Sequence, residues 1–237
     1  MSVEEGSIQH AATSPERPLT IAHRAGNHLS LLPDAFAAGV DYLEADIWLY
    51  RGRLEVRHEK TIKYLPVLWD RWLLKPGWTP RLLLGDLLAA TADRGRLYLD
   101  LKGNADVLAD AVAAAVATAK AKTTVAFSGG WHYLDRLAEL VPDAPRFYTI
   151  GTPGRLDELR PRLQRREIAA VAIDSRFLTQ QIVLELRGLG VATIVTWAVE
   201  TPAVAARVLA WGVGGVTSDS LTLLAAIREG RIGSAVD

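Results

Sequence analysis

Five short clusters of functional residues punctuate otherwise apolar runs: His23-Arg24, Glu44-x-Asp46, His58-Glu59, Asp100-x-Lys102 and Trp197. Residues two apart on a strand face the same side, with Cα atoms roughly 6.5–7 Å apart. Glu44 and Asp46 therefore share a face, and so do Asp100 and Lys102. Two carboxylates from one strand and one from its neighbour can converge on a cation. Such an all-oxygen set suits Mg²⁺ or Ca²⁺ and suits zinc poorly. Without a cation, two like charges in an apolar pocket would be costly, which is the physical reason to expect a metal. His23 follows an apolar run and precedes Arg24, so it reads as a site residue rather than a core histidine. His58 alone is compatible with either role. An isolated Glu-x-Asp more often faces solvent or pairs with arginine, Lys102 can simply neutralise Asp100, and Trp197 is by default a core aromatic. His28 and His132 read as surface or loop residues, and His10 falls in the lead-in.

These residues act together only if the chain brings them to one place. From Leu19 onward, short β-type runs alternate with longer stretches of helical period. Strands are expected at residues 19–24, 42–49, 96–102, 123–128, 146–150, 169–174, 192–199 and 215–218. A return strand at 54–57 follows the turn Tyr50-Arg51-Gly52-Arg53. Helices are expected at 82–93, 105–120, 133–141, 155–166, 179–187, 203–211 and 221–229, several stopping at a glycine (Gly188, Gly212, Gly230) suited to a left-handed C-cap. The strands are mostly continuous apolar runs, as in a parallel sheet covered by helices. Eight β/α units in about 220 residues predict an α/β fold, a single-domain TIM (β/α)8 barrel over residues 18–237. The alternative is a doubly wound open sheet; no G-x-G-x-x-G follows the first strand, which weakens its dinucleotide-binding version. Barrel sites form at the C-terminal strand ends, where the five clusters fall. Residues 60–80 carry Trp69, Trp72 and Trp78 with no clean period, reading as a packed loop at one end or as a wall of the cleft. Residues 1–17 read as a disordered polar tail.

The composition removes several classes. The 237 residues hold 27 Lys+Arg against 27 Asp+Glu, so there is no basic excess for nucleic acid. With no cysteine, disulfides, thiolate metal ligands and thiol nucleophiles are excluded, leaving oxygen and histidine donors. No apolar run approaches the roughly 20 residues of a membrane span, and the acidic, polar start is not a signal peptide. A soluble cytoplasmic domain is expected; nothing in the sequence indicates its oligomeric state.

The runs IAHRAGN, VDYLEADIWLYRGRLEVRHEK, LYLDLKG and VTWAVETPAVAARVLAWGVGGVTSD together resemble the glycerophosphodiester phosphodiesterase family, over nearly the whole chain from Leu19 to Asp219. The resemblance implies a TIM barrel in which His23 and His58 are the general acid/base pair. It implies that Glu44, Asp46 and Asp100 hold a divalent cation, usually Mg²⁺ or Ca²⁺. Arg24 and Lys102 would contact the phosphate of a phosphodiester substrate, and Trp197 would line the pocket. Arg24 can serve beside His23 only if the first strand ends there. The implied activity is metal-dependent hydrolysis of glycerophosphodiester-type substrates to an alcohol and glycerol phosphate. The sequence departs from the family pattern in Ala25-Gly26 after His-Arg, in HLSLLPDAF where a Pro-Glu-Asn segment is usual, in Glu59 for Asp and in Asp100 for Glu. Asp100 and the short first loop also resemble the sphingomyelinase D/phospholipase D toxin-type barrels, which usually carry disulfides and would form a cyclic phosphate. A non-catalytic phosphodiester-binding barrel is the remaining alternative.

Overall fold

The computed structural model describes residues 17–61, 67–70, 73–92, 94–119 and 125–232. His10, the expected tail up to residue 16, Trp72 and the expected element ends at 93, 120 and 123–124 lie outside them. The strands are β1 (Leu19–Ala22), β2 (Tyr42–Tyr50), β3 (Arg53–Val56), β4 (Lys60–Thr61), β5 (Val67–Asp70), β6 (Leu73–Pro76), β7 (Leu82–Leu83), β8 (Leu97–Leu101), β9 (Val125–Gly129), β10 (Arg146–Ile150), β11 (Ala170–Asp174), β12 (Thr193–Trp197) and β13 (Gly215–Ser218). The helices are α1 (Leu32–Ala37), α2 (Leu84–Thr91), α3 (Leu108–Thr118), α4 (Trp131–Leu140), α5 (Pro153–Gln164), α6 (Gln180–Gly188), α7 (Pro202–Ala210) and α8 (Leu221–Arg228).

Strands β1, β2 and β8 to β13 pair in parallel, and β1 bonds both β2 and β13, closing the sheet. With eight helices outside, this is the expected TIM barrel. The expected return strand is β3, antiparallel to β2. Helix α1 was not expected: with six residues and Pro33 in its first turn, it is too short to show a helical period. Residues 60–80 also differ from a plain loop. Strands β4, β5 and β6 form a separate antiparallel sheet, whose two- to four-residue strands are too short for alternation to be visible. Gly212 and Gly230 take the expected left-handed φ, but Gly188 closes α6 from within and Gly190 takes the left-handed position instead. Thr152, Thr179, Thr201 and Ser220 cap α5 to α8, each side chain accepting a backbone N–H from the first turn. Among the described residues, no helix is long and apolar enough to cross a membrane.

The period of two along each strand separates two cores. Leu43, Ala45 and Ile47 of β2, with Leu97, Leu99 and Leu101 of β8, pack outward in the large cluster shared with the helices. Tyr42, Tyr98, Ile21, Phe147 and Val195 fill the barrel interior, Tyr98 meeting Tyr42 edge-on at 6.3 Å and Phe147 at 5.2 Å. The same alternation turns Glu44, Asp46 and Asp100 inward, directly above that aromatic floor, with Asp46 opposite Asp100 in register. Gly129 lets β9 pass close to β8: at φ +114, a Cβ there would lie 2.8 Å from Leu101 N and 2.9 Å from Asp100 Oδ1.

The N-terminal face is closed by Asp41. It accepts from both Arg17 Nη atoms (2.8 and 2.6 Å), from Thr20 N (2.8 Å) and Oγ1 (2.9 Å), and from Arg228 at 3.3 Å. Burial pushes its carboxyl up, but the Arg17 and Thr20 hydrogen bonds outweigh that and hold it below its usual value. A cavity of about 1040 Å³ on this face is bounded by Asp41 and by Arg17, Arg94, Arg96 and Arg228. It lies at the end where barrels carry stability rather than catalysis.

Asp41→Asn should lower stability at neutral pH by about 1–3 kcal/mol. Because folding depresses this carboxyl, its contribution is present above the unfolded value and is lost as pH falls through the folded one. Urea melts should therefore show wild type and variant converging in acid. Gly129→Ala should cost about 1–3 kcal/mol through strain and overpacking, read as a lower Tm.

Candidate active site

Strand β1 stops at Ala22, and its continuation builds one side of the site. His23 N donates to Ser218 O at 2.9 Å. Arg24 then takes φ 56° and ψ 7°, a left-handed conformation rare for a side chain other than glycine and concentrated at functional sites. The chain turns there, as joint service by His23 and Arg24 requires. The turn directs Arg24 N onto Glu44 Oε2 at 2.6 Å. Gly26 lies flat on β2, where a Cβ would come within 2.8 Å of Ala45 Cβ. That contact brings buried Asn27 against Asp46: Asn27 Nδ2 donates to Oδ2 (2.8 Å), and Asp46 N donates to Asn27 Oδ1 (2.9 Å). Asn27 was missed as a site residue in the sequence. Its only signal was a place four residues beyond His23, and the close approach that makes it useful is tertiary.

Glu44, Asp46 and Asp100 each offer an oxygen, and these atoms lie within 4.8 Å of one another. Glu44 and Asp46 are buried. Burial raises the Glu44 carboxyl well above its ordinary value, and the charges of Asp46 and Asp100 push the same way. Lys102 Nζ lies 3.0 Å from Asp46 Oδ1 and also binds Asp100. Burial would lower the Lys102 ammonium, but Asp100, Asp46 and Glu44 outweigh it and raise it. With all three ionised, the carboxylates against one ammonium would leave two negative charges in a partly buried place. An all-oxygen set with that surplus fits one hard divalent cation.

A cavity of about 630 Å³ opens at the C-terminal face, lined by His23, Glu44, Asp100, Lys102 and Trp197 among others. Trp197 rests on the interior cluster and lines the cavity. Its neighbour Asp174 is buried; burial raises its carboxyl, but hydrogen bonds from Arg176 and Trp197 prevail and lower it. His23 Nδ1 lies 2.7 Å from Asp219 Oδ1. His58 does not line this cavity. It joins the site through Arg24, whose Nη2 donates to His58 Nε2 at 2.6 Å, while His58 Nδ1 sits 3.1 Å from Asp70 Oδ2. In the sequence Asp219 stands only as the end of a matching Gly-Val-x-x-Asp run, with no role given to it, and Asp70, inside the aperiodic insert, is not singled out. His28 and His132 are exposed, as expected.

No family model matches the sequence, and no curated protein matches it. Solved structures match in fold. A phosphodiesterase from Oleispira antarctica, in complex with the product sn-glycerol-3-phosphate, superposes with a TM-score of 0.70 at 18% identity, over 90% of this chain and 97% of its own. A glycerophosphodiester phosphodiesterase from Parabacteroides distasonis gives 0.68 at 21% identity, over 91% and 99%. One from Thermotoga maritima gives 0.66 at 18% identity, over 90% and 99%. Across about nine-tenths of its length, this chain shares the barrel fold of glycerophosphodiester phosphodiesterases.

Proposed function

We propose that this protein is a metal-dependent phosphodiesterase that hydrolyses glycerophosphodiester-type substrates to an alcohol and glycerol phosphate. The observation that carries this reading is the triad of buried Glu44 and Asp46 with half-buried Asp100, whose oxygens lie within 4.8 Å of one another at the C-terminal end of the barrel. Neighbours of the same fold are phosphodiesterases, and the Oleispira antarctica one holds sn-glycerol-3-phosphate, which supports glycerol phosphate as the product here.

A divalent cation, Mg²⁺ or Ca²⁺, held by the triad would neutralise charge on a phosphoryl oxygen. The chain's own groups account for the rest. Lys102 faces the cavity from the Asp46–Asp100 side, placing a cation where a phosphodiester anion would lie. Arg24, anchored by its backbone on Glu44, holds its guanidinium against His58, from where it would have to swing to reach a bound phosphate. His23 uses Nδ1 on Asp219, so Nε2 is the nitrogen left for proton transfer. His58 uses Nε2 toward Arg24; phosphate binding would draw the guanidinium away and free that nitrogen. One histidine then removes the proton of the attacking oxygen, and the other delivers a proton to the departing alkoxide. Trp197 forms an apolar wall for the bound diester.

With Mg²⁺ or Ca²⁺, purified protein should hydrolyse glycerophosphocholine or a chromogenic diester, and EDTA should abolish the reaction. No turnover across a broad diester panel with either metal would overturn the reading. Chromatography should show a phosphomonoester; an accumulating cyclic phosphate would instead favour the toxin-type reaction. His23→Ala and His58→Ala should each lower kcat by about 10²–10⁴-fold with an unchanged circular dichroism spectrum. Glu44→Gln gives a readout without turnover. It removes one of three crowded charges, so the variant should melt higher than wild type in EDTA, and the Mg²⁺- or Ca²⁺-dependent rise in Tm of wild type should disappear.

A further inference from the structure

His58 is held between two side chains of opposite kind. Arg24 Nη2 donates to its Nε2 at 2.6 Å. A guanidinium has only donors, so Nε2 is the acceptor and the proton of the neutral ring sits on Nδ1. That nitrogen is buried and lacks an aligned hydrogen-bond partner. The carboxylate beside it is Asp70, whose Oδ2 lies 3.1 Å away, so a small rotation of Asp70 completes the bond.

Asp70 does not come from the barrel. It is the last residue of β5, in the small antiparallel sheet. Lys60 pairs with Trp69 and Thr61 with Leu68; continuing that register sets Asp70 opposite Glu59, next to His58. Both flanks of His58 are tied down. Glu59 is ion-paired with Lys75 of β6. Arg57 is buried beneath the Trp48 ring at 4.9 Å and donates to Glu55 (2.8 Å), to the Glu59 carbonyl and to Thr61 Oγ1 (2.9 Å). The backbone around His58 is thereby fixed, which leaves the orientation and protonation of the ring to be set by a side chain.

We propose that Asp70 is the positioning residue of His58: its carboxylate accepts the Nδ1 proton, orients the ring and keeps Nε2 as the basic nitrogen. A carboxylate behind an imidazole is a general means of fixing a tautomer. The small sheet is then a working part of the site rather than a cover for one end of the barrel. The catalytic consequence rests on the function proposed above; the tautomer does not.

The test uses the full-length protein with ¹⁵N-labelled histidine, the His58 signal being assigned by its loss in His58→Gln. Long-range ¹H–¹⁵N spectra of wild type should show His58 protonated at Nδ1 and bare at Nε2. Because Arg24 also holds Nε2 as an acceptor, the variants are compared in an Arg24→Ala background: Arg24→Ala alone should keep His58 protonated at Nδ1, while adding Asp70→Ala or the near-isosteric Asp70→Asn should shift the ring toward a tautomer mixture or toward Nε2–H. In turnover, Asp70→Ala should lower kcat on the order of 10–100-fold with little change in KM, and Asp70→Glu should recover part of the loss. With Arg24→Ala present, an unchanged tautomer on adding Asp70→Ala and Asp70→Asn would overturn the proposal, as would a rise in KM at constant kcat in the single Asp70→Ala variant, which marks the insert as a substrate wall. If wild type turns over no diester while the tautomer still follows Asp70, the positioning stands and the proposed function falls.

Discussion

Everything at the C-terminal face is organised by the electrostatic problem of three carboxylates on the inner face of two adjacent strands. Like charges in a medium poorer than water repel strongly, and the Tyr42–Tyr98–Phe147 layer beneath them offers no charge to compensate. The surroundings read as a set of partial answers. Arg24 N and Asn27 Nδ2 each donate to a triad oxygen, and Lys102 lies across Asp46 and Asp100. The turn after β1 is bent into a rare backbone conformation at Arg24 to bring those donors in. None of these cancels the whole charge, and the remainder is what the proposed dication would neutralise.

The sequence made the barrel and the triad legible because both depend on short periods. An E-x-D and a D-x-K on neighbouring apolar strands leave few arrangements other than a shared inner face, and the register of Asp46 with Asp100 is the arrangement expected of them. The partners of the histidines were not legible for the opposite reason. Asp219 is 196 positions from His23 in the chain and meets it only when β13 closes on β1. Asp70 reaches His58 through pairing of strands too short to leave a pattern. Asn27 stood inside a recognised run, but its use depends on Gly26 touching Ala45, which no local rule contains.

The small sheet shows how an insertion can be coupled to a barrel without joining it. Among the described residues it shares no strand pairing with the ten-stranded sheet. Its attachment runs through side chains: Lys75 to Glu59, Asp70 to His58, and, just beyond it, Arg81 to buried Glu55 at 2.6 Å. Links of this kind allow the loop to vary in length and sequence while the barrel keeps its shape, and they carry any displacement of the insert directly to the hairpin bearing His58.

The clamp at the opposite face has a topological meaning. Arg17, at the beginning of the described chain, and Arg228, at the close of its last helix, bind the same Asp41 carboxylate. The start and finish of the barrel are therefore neighbours, on the side away from the candidate site. A short polar linker could join them, and new termini could be opened at another helix-to-strand connection on that face. The barrel is in this sense a ring whose point of entry is incidental: the order of its units around the circle determines the site, and the place where synthesis begins does not.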